Sequence, residues 1–392
     1  MRVAFNARVL GDPLLRGWNR YTLNLASGLV DLGVEVYLYS DRAYDAVQLA
    51  RLPTSSMTIK QSPPMNYVRW EQQWVPQQCA TDRIEVFHSP IHFGLPQWTR
   101  TKCVLTLHDA IEETYYAEHR KTSISQRITR VLCWMARHRA DHIVTVSEHS
   151  RRELIQLFKL SEDRVSVTYE AADHRFHQTI SSEARERVRH KYRLPEQFVL
   201  YVGSFEPRKN IPFLLKASAI AQLRDLHVVL GGGSLIEGRV LMQMASALSI
   251  SDRVSVIGRV DDDDLPALYA EAHAFVYPSE YEGFGLQICE ALAVGCPVFA
   301  ADASCLPEIV ADGGELFPLS TPNRLAEMLK KLHYDLDYRE SLRRRARTRS
   351  QFFSWRYTAE KTLAVYENLY AQQNKFFLME NSAETRANEH GP

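Results

Sequence analysis

The sequence predicts an α/β protein of two Rossmann-like, doubly wound lobes, on three observations. Short continuous apolar runs alternate with amphipathic stretches along most of the chain, the pattern of parallel strands buried on both faces by crossover helices. The chain has 392 residues, of which 45% are hydrophobic, and at roughly 100–200 residues per domain that is enough for two cores. Two glycine-containing loops with charged residues also fall where strands are expected to end, the position at which such sheets bind ligands.

In the first lobe, 1–175, strands are expected over 3–9 and 34–39, flanking a helix over 18–32. Further buried strands are read at 86–88, 104–107 and 143–146. The charged stretch between Asp173 and Pro195 suits an exposed connector or a helix at a domain boundary. The second lobe, 196–350, alternates more regularly. Strands are read at 198–203, 227–230, 254–257, 274–277 and 297–300, with helices over 211–222, 236–248, 265–272 and 286–294. An amphipathic helix over 354–373 is expected to join the first lobe, and the polar residues 374–392 to form a disordered tail. The lobes are expected to face each other across a cleft.

Composition excludes several classes. Lys+Arg and Asp+Glu both total 47, so the basic surplus of a dedicated nucleic-acid binder is missing. The six cysteines are scattered without a CxxC pair, which predicts reduced thiols in a cytoplasmic protein and neither a disulfide framework nor a zinc site. The first residues lack the apolar stretch of a signal peptide. The longest uncharged run, 86–99, holds two prolines and falls short of the ~20 residues a membrane span needs, so a soluble or peripheral protein is expected.

The first loop is Gly203-Ser204-Phe205-Glu206-Pro207-Arg208-Lys209-Asn210. A glycine that admits close backbone approach, two cations and a helix N-terminus together suit an anion, best a phosphate; a solvated basic turn is the plainer alternative. The second loop, Glu282-Gly283-Phe284-Gly285, opens the helix containing Leu286 and Glu290. Its glycines expose amides at a helix start. Two carboxylates eight residues apart, ~12 Å along a helix, could grip hydroxyls at either end of a sugar–diphosphate–nucleoside. Alternatively, Glu282 caps the helix and Glu290 is solvated.

The Glu282-to-Glu290 spacing, Tyr277–Gly285, Tyr201–Asn210, Val146–Leu154 and Ser304–Ile309 together resemble retaining glycosyltransferases of family 4, which have the GT-B fold. The resemblance runs from the first strand to the terminal helix. It implies that Arg208 and Lys209 hold the donor diphosphate, Glu282 the donor sugar and Glu290 the ribose. Ser204, Gly283, Phe284, Gly285 and Leu286 would contact sugar and phosphate, His108 would lie beside the reacting sugar, and Gly17 would belong to a turn near phosphate and acceptor. It further implies retention of anomeric configuration, no metal or other cofactor, a nucleotide-sugar donor and a glycan or lipid-linked acceptor. Mannose from GDP-mannose, moved into a cell-surface polysaccharide, is the donor and product the overall likeness suggests. Asn19 departs from the small residue such families carry there, and Tyr169-Glu170-Ala171 from their Tyr-Asn-Gly.

Two rivals remain at this stage: a sugar-nucleotide epimerase of the same architecture and a non-catalytic sugar-nucleotide-binding protein. Gly231-Gly232-Gly233-Ser234-Leu235-Ile236 fails the dinucleotide fingerprint, and no GK[ST] is present. Asp261–Asp264 are read as caps of the following helix in preference to a metal site. Residues 120–139 carry Arg120, Lys121, Arg127, Arg130, Arg137 and Arg139 interleaved with apolar residues and no acid, a pattern suited to an anionic membrane surface or to a helix packed on the first lobe.

Overall fold

In a computed structural model, residues 1–12, 17–50, 56–116 and 124–389 are described. They form two compact units: 1–146, 150–169 and 355–392 make up the first, and 147–149 with 170–354 the second.

The first unit holds a seven-stranded parallel sheet. Its strands are β1 (Arg2–Asn6), β2 (Glu35–Ser40), β3 (Met57–Gln61), β4 (Val86–Ser89), β5 (Lys102–Thr106), β6 (His142–Thr145) and β7 (Val165–Val167), in the order β3-β2-β1-β4-β5-β6-β7. The second unit has a six-stranded parallel sheet of β8 (Phe198–Gly203), β9 (His227–Gly232), β10 (Val254–Gly258), β11 (Ala274–Tyr277), β12 (Val298–Ala301) and β13 (Glu315–Phe317), ordered β10-β9-β8-β11-β12-β13. In each sheet the chain winds outward from a central strand and then returns to that strand's other side. The reversal falls between β1 and β4 in one sheet and between β8 and β11 in the other, and such reversals open a crevice at the carboxyl ends of the strands.

Central strands are buried on both faces; Val3, Ala4 and Phe5 of β1 and Val228, Val229 and Leu230 of β9 are each 0% exposed. The sequence reading misses β3, β7 and β13, all of which are sheet edges. Met57-Thr58-Ile59-Lys60-Gln61 is half polar because one long side of it meets solvent, and β7 and β13 have three residues each, too short for a run to register.

The terminal helix, Trp355–Glu389, packs on the helix Gly17–Asp31. A Cβ at Gly28 would come within 2.9 Å of the Ala359 Cβ, so glycine is what lets the two helices meet. Inside the unit the Tyr366 hydroxyl bonds the His88 ring at 2.5 Å. The helix runs to Glu389, and Gln372-Gln373-Asn374-Lys375 contains no glycine or proline to stop it. The charged stretch after Asp173 contains the helix Ser182–Lys191, begun by Ser181, whose hydroxyl accepts from the Ala184 N–H.

That helix also accounts for the acidic run. Lys191 pairs with Asp261 and Asp264 at 2.5 and 2.6 Å, Arg187 with Asp264, and Arg175 with Asp263 at 2.8 Å. Asp264 stands at the N-cap of Leu265–Glu271 but makes no side-chain cap bond. The capping expectation is therefore corrected, and the carboxylates bind cations of that helix and of the turn His174–His177 before it instead.

Candidate functional site

In the second unit, β8 ends at Gly203 and its loop tightens into a 3-10 turn, Pro207–Lys209, closed by Asn210 in the left-handed region (φ +49°) at the start of the helix Ile211–Ala221. After β11 the loop containing Glu282 leads to Gly285, whose φ of +93° favours glycine, and then to the helix Leu286–Val294. The backbone joins the two loops directly, with the Glu280 N–H donating to the Arg208 carbonyl at 2.8 Å. The site thus lies at the reversal between β8 and β11.

Here Glu282 meets both cations. Arg208 Nη1 lies 2.9 Å from Glu282 Oε2 and Lys209 Nζ 2.5 Å from Oε1. Lys209 also donates to the Tyr277 hydroxyl at 2.7 Å, and Arg208 to Glu206 and to the Tyr281 carbonyl. Lys209 and Glu282 are buried, at 4% and 7% exposure. Burial opposes the Glu282 charge, yet Lys209 and Arg208 outweigh it and hold the carboxyl below its ordinary range. Arg208 shows the converse: burial opposes its charge, but Glu282 and then Glu206 raise its pKa. Burial lowers the Lys209 pKa, and Glu282 acts against that shift without cancelling it.

The second loop is anchored from several sides. The Glu282 N–H donates to Ser304 Oγ at 3.0 Å, and the Cys305 thiol contacts the carbonyls of Glu282 and Phe284 at 3.2 Å. Ser147, which belongs to this unit, donates to the Gly283 carbonyl at 2.7 Å. The Phe284 ring packs edge-on to Phe353 and is buried, so it is not offered to a ligand. Ser204 takes the Tyr201 hydroxyl on its carbonyl at 2.6 Å. Tyr277, Ser304 and Cys305 fall in segments that carry the family resemblance, but their supporting roles are not legible there, because a tyrosine ending a buried strand and small residues before a helix look like ordinary packing.

Glu290, on the helix Leu286–Val294, is 2% exposed and accepts from the Tyr269 hydroxyl at 3.1 Å. It is not the solvated residue of the plainer reading. Glu282, for its part, precedes the helix by several residues, so the ~12 Å helical separation from Glu290 does not apply, and Gly285 takes the N-cap position where Glu282 might have stood. The Gly231–Gly233 run has a packing role. A Cβ at Gly232 would lie 2.1 Å from the Gly203 carbonyl oxygen, and one at Gly233 2.1 Å from the Phe205 ring.

The remaining expected residues, Gly17 and His108, belong to the first unit. Gly17 opens the helix Gly17–Asp31, and among the described residues nothing lies within 4 Å of where its Cβ would be, so packing does not require the glycine. Asn19 is turned inward, its Nδ2 2.7 Å from the Val9 carbonyl, which holds the first helical turn on the loop after β1. His108 follows β5 and is 6% exposed. Its Nε2 is 3.0 Å from the Pro90 carbonyl, which can only accept, so neutral His108 carries its proton there.

In the helix Ile124–Arg139, Arg139 bonds Asp141 and the carbonyls of Thr99 and Thr101, and Arg137 lies 3.8 Å over the Phe158 ring. Ile128, Val131 and Trp134 remain more than half exposed. Arg120 and Lys121 lie outside the described residues. All six cysteines are free, and burial pushes Cys103 and Cys296 up to about 12 and Cys133 to about 11. Among the described residues no helix is long and apolar enough to cross a membrane, and no cluster of three metal-ligating side chains occurs.

Residues 182–349 match the family profile of glycosyl transferases group 1, and residues 15–176 that of glycosyltransferase family 4. The chain is 33% identical over 288 residues to an O-antigen chain mannosyltransferase B of Escherichia coli, covering 72% of this chain and 74% of that protein. It is 28% identical over 237 residues to the E. coli serotype-specific mannosyltransferase WbdA, covering 59% of this chain but only 29% of that longer protein. Among solved structures, Anabaena Alr3699/HepE in complex with UDP and glucose superposes with a TM-score of 0.72 at 20% identity, over 93% of this chain and 99% of that one.

Proposed function

Since the chain belongs to the family 4 glycosyltransferases, enzymes of GT-B fold, we propose that it transfers mannose from GDP-mannose, with retention of anomeric configuration, to a hydroxyl of a growing cell-surface polysaccharide. The observation that carries the donor half of this reading is the Arg208–Lys209–Glu282 cluster at the β8/β11 reversal. As the anomeric C–O bond breaks, negative charge grows on the departing diphosphate, and two cations already fixed in a partly buried site stabilise it without reorganising. Amides at Gly283–Leu286, ahead of a helix start, can share that charge. No step then requires a metal ion, and turnover is expected to persist in EDTA.

In the free protein Glu282 holds both cations. A diphosphate brings its own negative charge to them, which releases the carboxylate to accept hydroxyls of the donor sugar. Glu290, buried beside Tyr269, is the acid suited to the ribose. The choice of mannose rests on the named relatives, two of them mannosyltransferases. A cytoplasmic enzyme is expected, with the exposed Ile128–Val131–Trp134 stripe beside Arg127 resting on an anionic membrane that carries a lipid-linked acceptor.

A thermal-shift panel of GDP, UDP, ADP and CDP tests the donor. A diphosphate at 100 times its dissociation constant adds about 2.7 kcal/mol of stability. GDP is expected to give the largest rise in melting temperature. A larger rise with UDP would replace the guanosine assignment, and no rise with any of the four would remove the nucleotide-sugar reading. Isomerisation of GDP-mannose without any acceptor would favour an epimerase.

A further inference from the structure

The crevice of the first sheet, between β1 and β4, is built from rings. Trp18 enters on the first turn of the helix after β1, His92 stands three residues past β4, and His108 two residues past β5, so three neighbouring strands each deliver one ring at their carboxyl ends. The Trp18 ring centroid is 5.5 Å from that of His92 and 6.3 Å from that of His108, and the two imidazoles stack at 6.0 Å. Tyr21 closes on His108 edge-to-face at 4.9 Å. Yet Trp18 keeps 42% of its surface exposed, while Tyr21, one turn along the same helix, is fully buried. The Asn19–Val9 bond pins the helical turn that presents the indole.

His92 is also specified. Its Nε2 accepts from the His108 backbone N–H at 3.2 Å, so in the neutral ring the proton is on Nδ1, which is a donor. Burial holds its pKa near 3, and the ring stays uncharged at neutral pH. A partly exposed indole beside an uncharged N–H donor suits a neutral ring that has an apolar C–H face and hydroxyl edges. The indole's negative face attracts the weakly positive C–H groups, and the imidazole N–H meets a hydroxyl oxygen.

We infer that Trp18 and His92 form the platform for the acceptor's terminal sugar, the pyranose face stacking on the indole and a ring hydroxyl accepting from His92. This rests on the glycosyltransferase reading for the word acceptor; the stacking of a neutral pyranose does not depend on it. Trp18 and His92 are specificity-determining residues here, with no part in bond breaking.

The test uses the full chain labelled with 15N at its tryptophan indoles and titrated with the methyl α-glycosides of mannose, glucose, galactose and N-acetylglucosamine. Trp18→Phe deletes one indole signal and so identifies it. That signal is expected to move saturably with at least one glycoside, while the buried Trp70 signal stays in place. A Trp18 signal indifferent to all four glycosides overturns the inference, and one that moves with GDP but with no glycoside assigns the indole to the donor. In transfer assays with n-octyl α-D-mannopyranoside, Trp18→Ala is expected to raise the acceptor KM at least tenfold, leave the donor KM unchanged, and be largely rescued by Trp18→Phe. An unchanged acceptor KM contradicts the platform. Failure of GDP to bind while glycosides still move Trp18 would strike the donor assignment alone.

Discussion

The two sheets reverse their winding in the same way, yet the crevices at the two reversals have opposite chemistry. Between β8 and β11 the strand ends deliver Arg208, Lys209 and Glu282, an ionic cluster in which each charge is held by its neighbours. Between β1 and β4 they deliver Trp18, His92 and His108, rings of which the indole stays partly exposed. Parallel sheets bring loops to the crevice whatever those loops contain, so architecture locates both sites and side chains alone assign them. The ionic crevice suits a charged leaving group and the aromatic one a neutral ring, which are the two reactants of a sugar transfer.

The sharpest way to break the contrast is to remove charge from the ionic crevice. Lys209→Ala is expected to lower kcat by about 10²–10³-fold, the scale of losing one preorganised charge stabiliser. It also leaves Glu282 with Arg208 as its single cation in a buried setting, so stability is expected to fall, by less than the loss of both cations would cost. Glu282→Gln is expected to bind GDP as well as or better than the parent, because the cations lose their internal anion, while transfer falls at least 10²-fold by the same reckoning. Isothermal titration with GDP beside initial-rate measurements separates the two effects, and weaker GDP binding in Glu282→Gln would contradict the release of the carboxylate.

A smaller effect concerns acid. His88, fully buried between Thr106 and Tyr366, and His92 are held neutral with pKa values near 3, burial being the main cause. Their unfolded-state value is about 6.5. The unfolded chain therefore binds more protons below pH 6.5, and stability falls as pH drops from there towards 3, by up to about 1.4 kcal/mol per pH unit for each ring. In the second unit burial holds His273 near 4 and lowers His177 as well, but neither ring lies within the central strands β8 and β11. Hydrogen exchange at pH 7.5 and 5.5 is thus expected to show β4 and β5 losing more protection than β8 and β11, and equal losses would refute the assignment. The smallest effect is at the membrane. Trp134→Ser is expected to reduce co-sedimentation with phosphatidylglycerol vesicles severalfold without changing transfer to a water-soluble acceptor, and binding indifferent to anionic lipid would remove that role.

How much was legible in the sequence follows from burial. Strands such as Ala274-Phe275-Val276-Tyr277 are covered on both faces and read as unbroken apolar runs, whereas edge strands such as Met57–Gln61 carry solvent-facing threonine and glutamine. The ionic crevice was visible because glycine, cations and acids are conspicuous at strand ends. Its supports were not, since Tyr277, Ser304 and Cys305 act through a hydroxyl, an oxygen and a thiol that any core residue of their type could bear. Trp18 and His92 were missed for a related reason: an aromatic on an apolar helix and a histidine near a buried strand look like packing until exposure is known. Asp261–Asp264 misled because a helix start follows them, while their partners lie some 70 residues earlier in sequence.

The central claim is that Arg208 and Lys209 exchange the Glu282 carboxylate for the donor's diphosphate. A crystal structure of the enzyme with GDP-mannose tests it most directly. Diphosphate oxygens are expected within hydrogen-bond distance of Arg208 and Lys209, with Glu282 turned to the mannose hydroxyls. A complex in which Glu282 still holds both cations and the diphosphate binds elsewhere would contradict it.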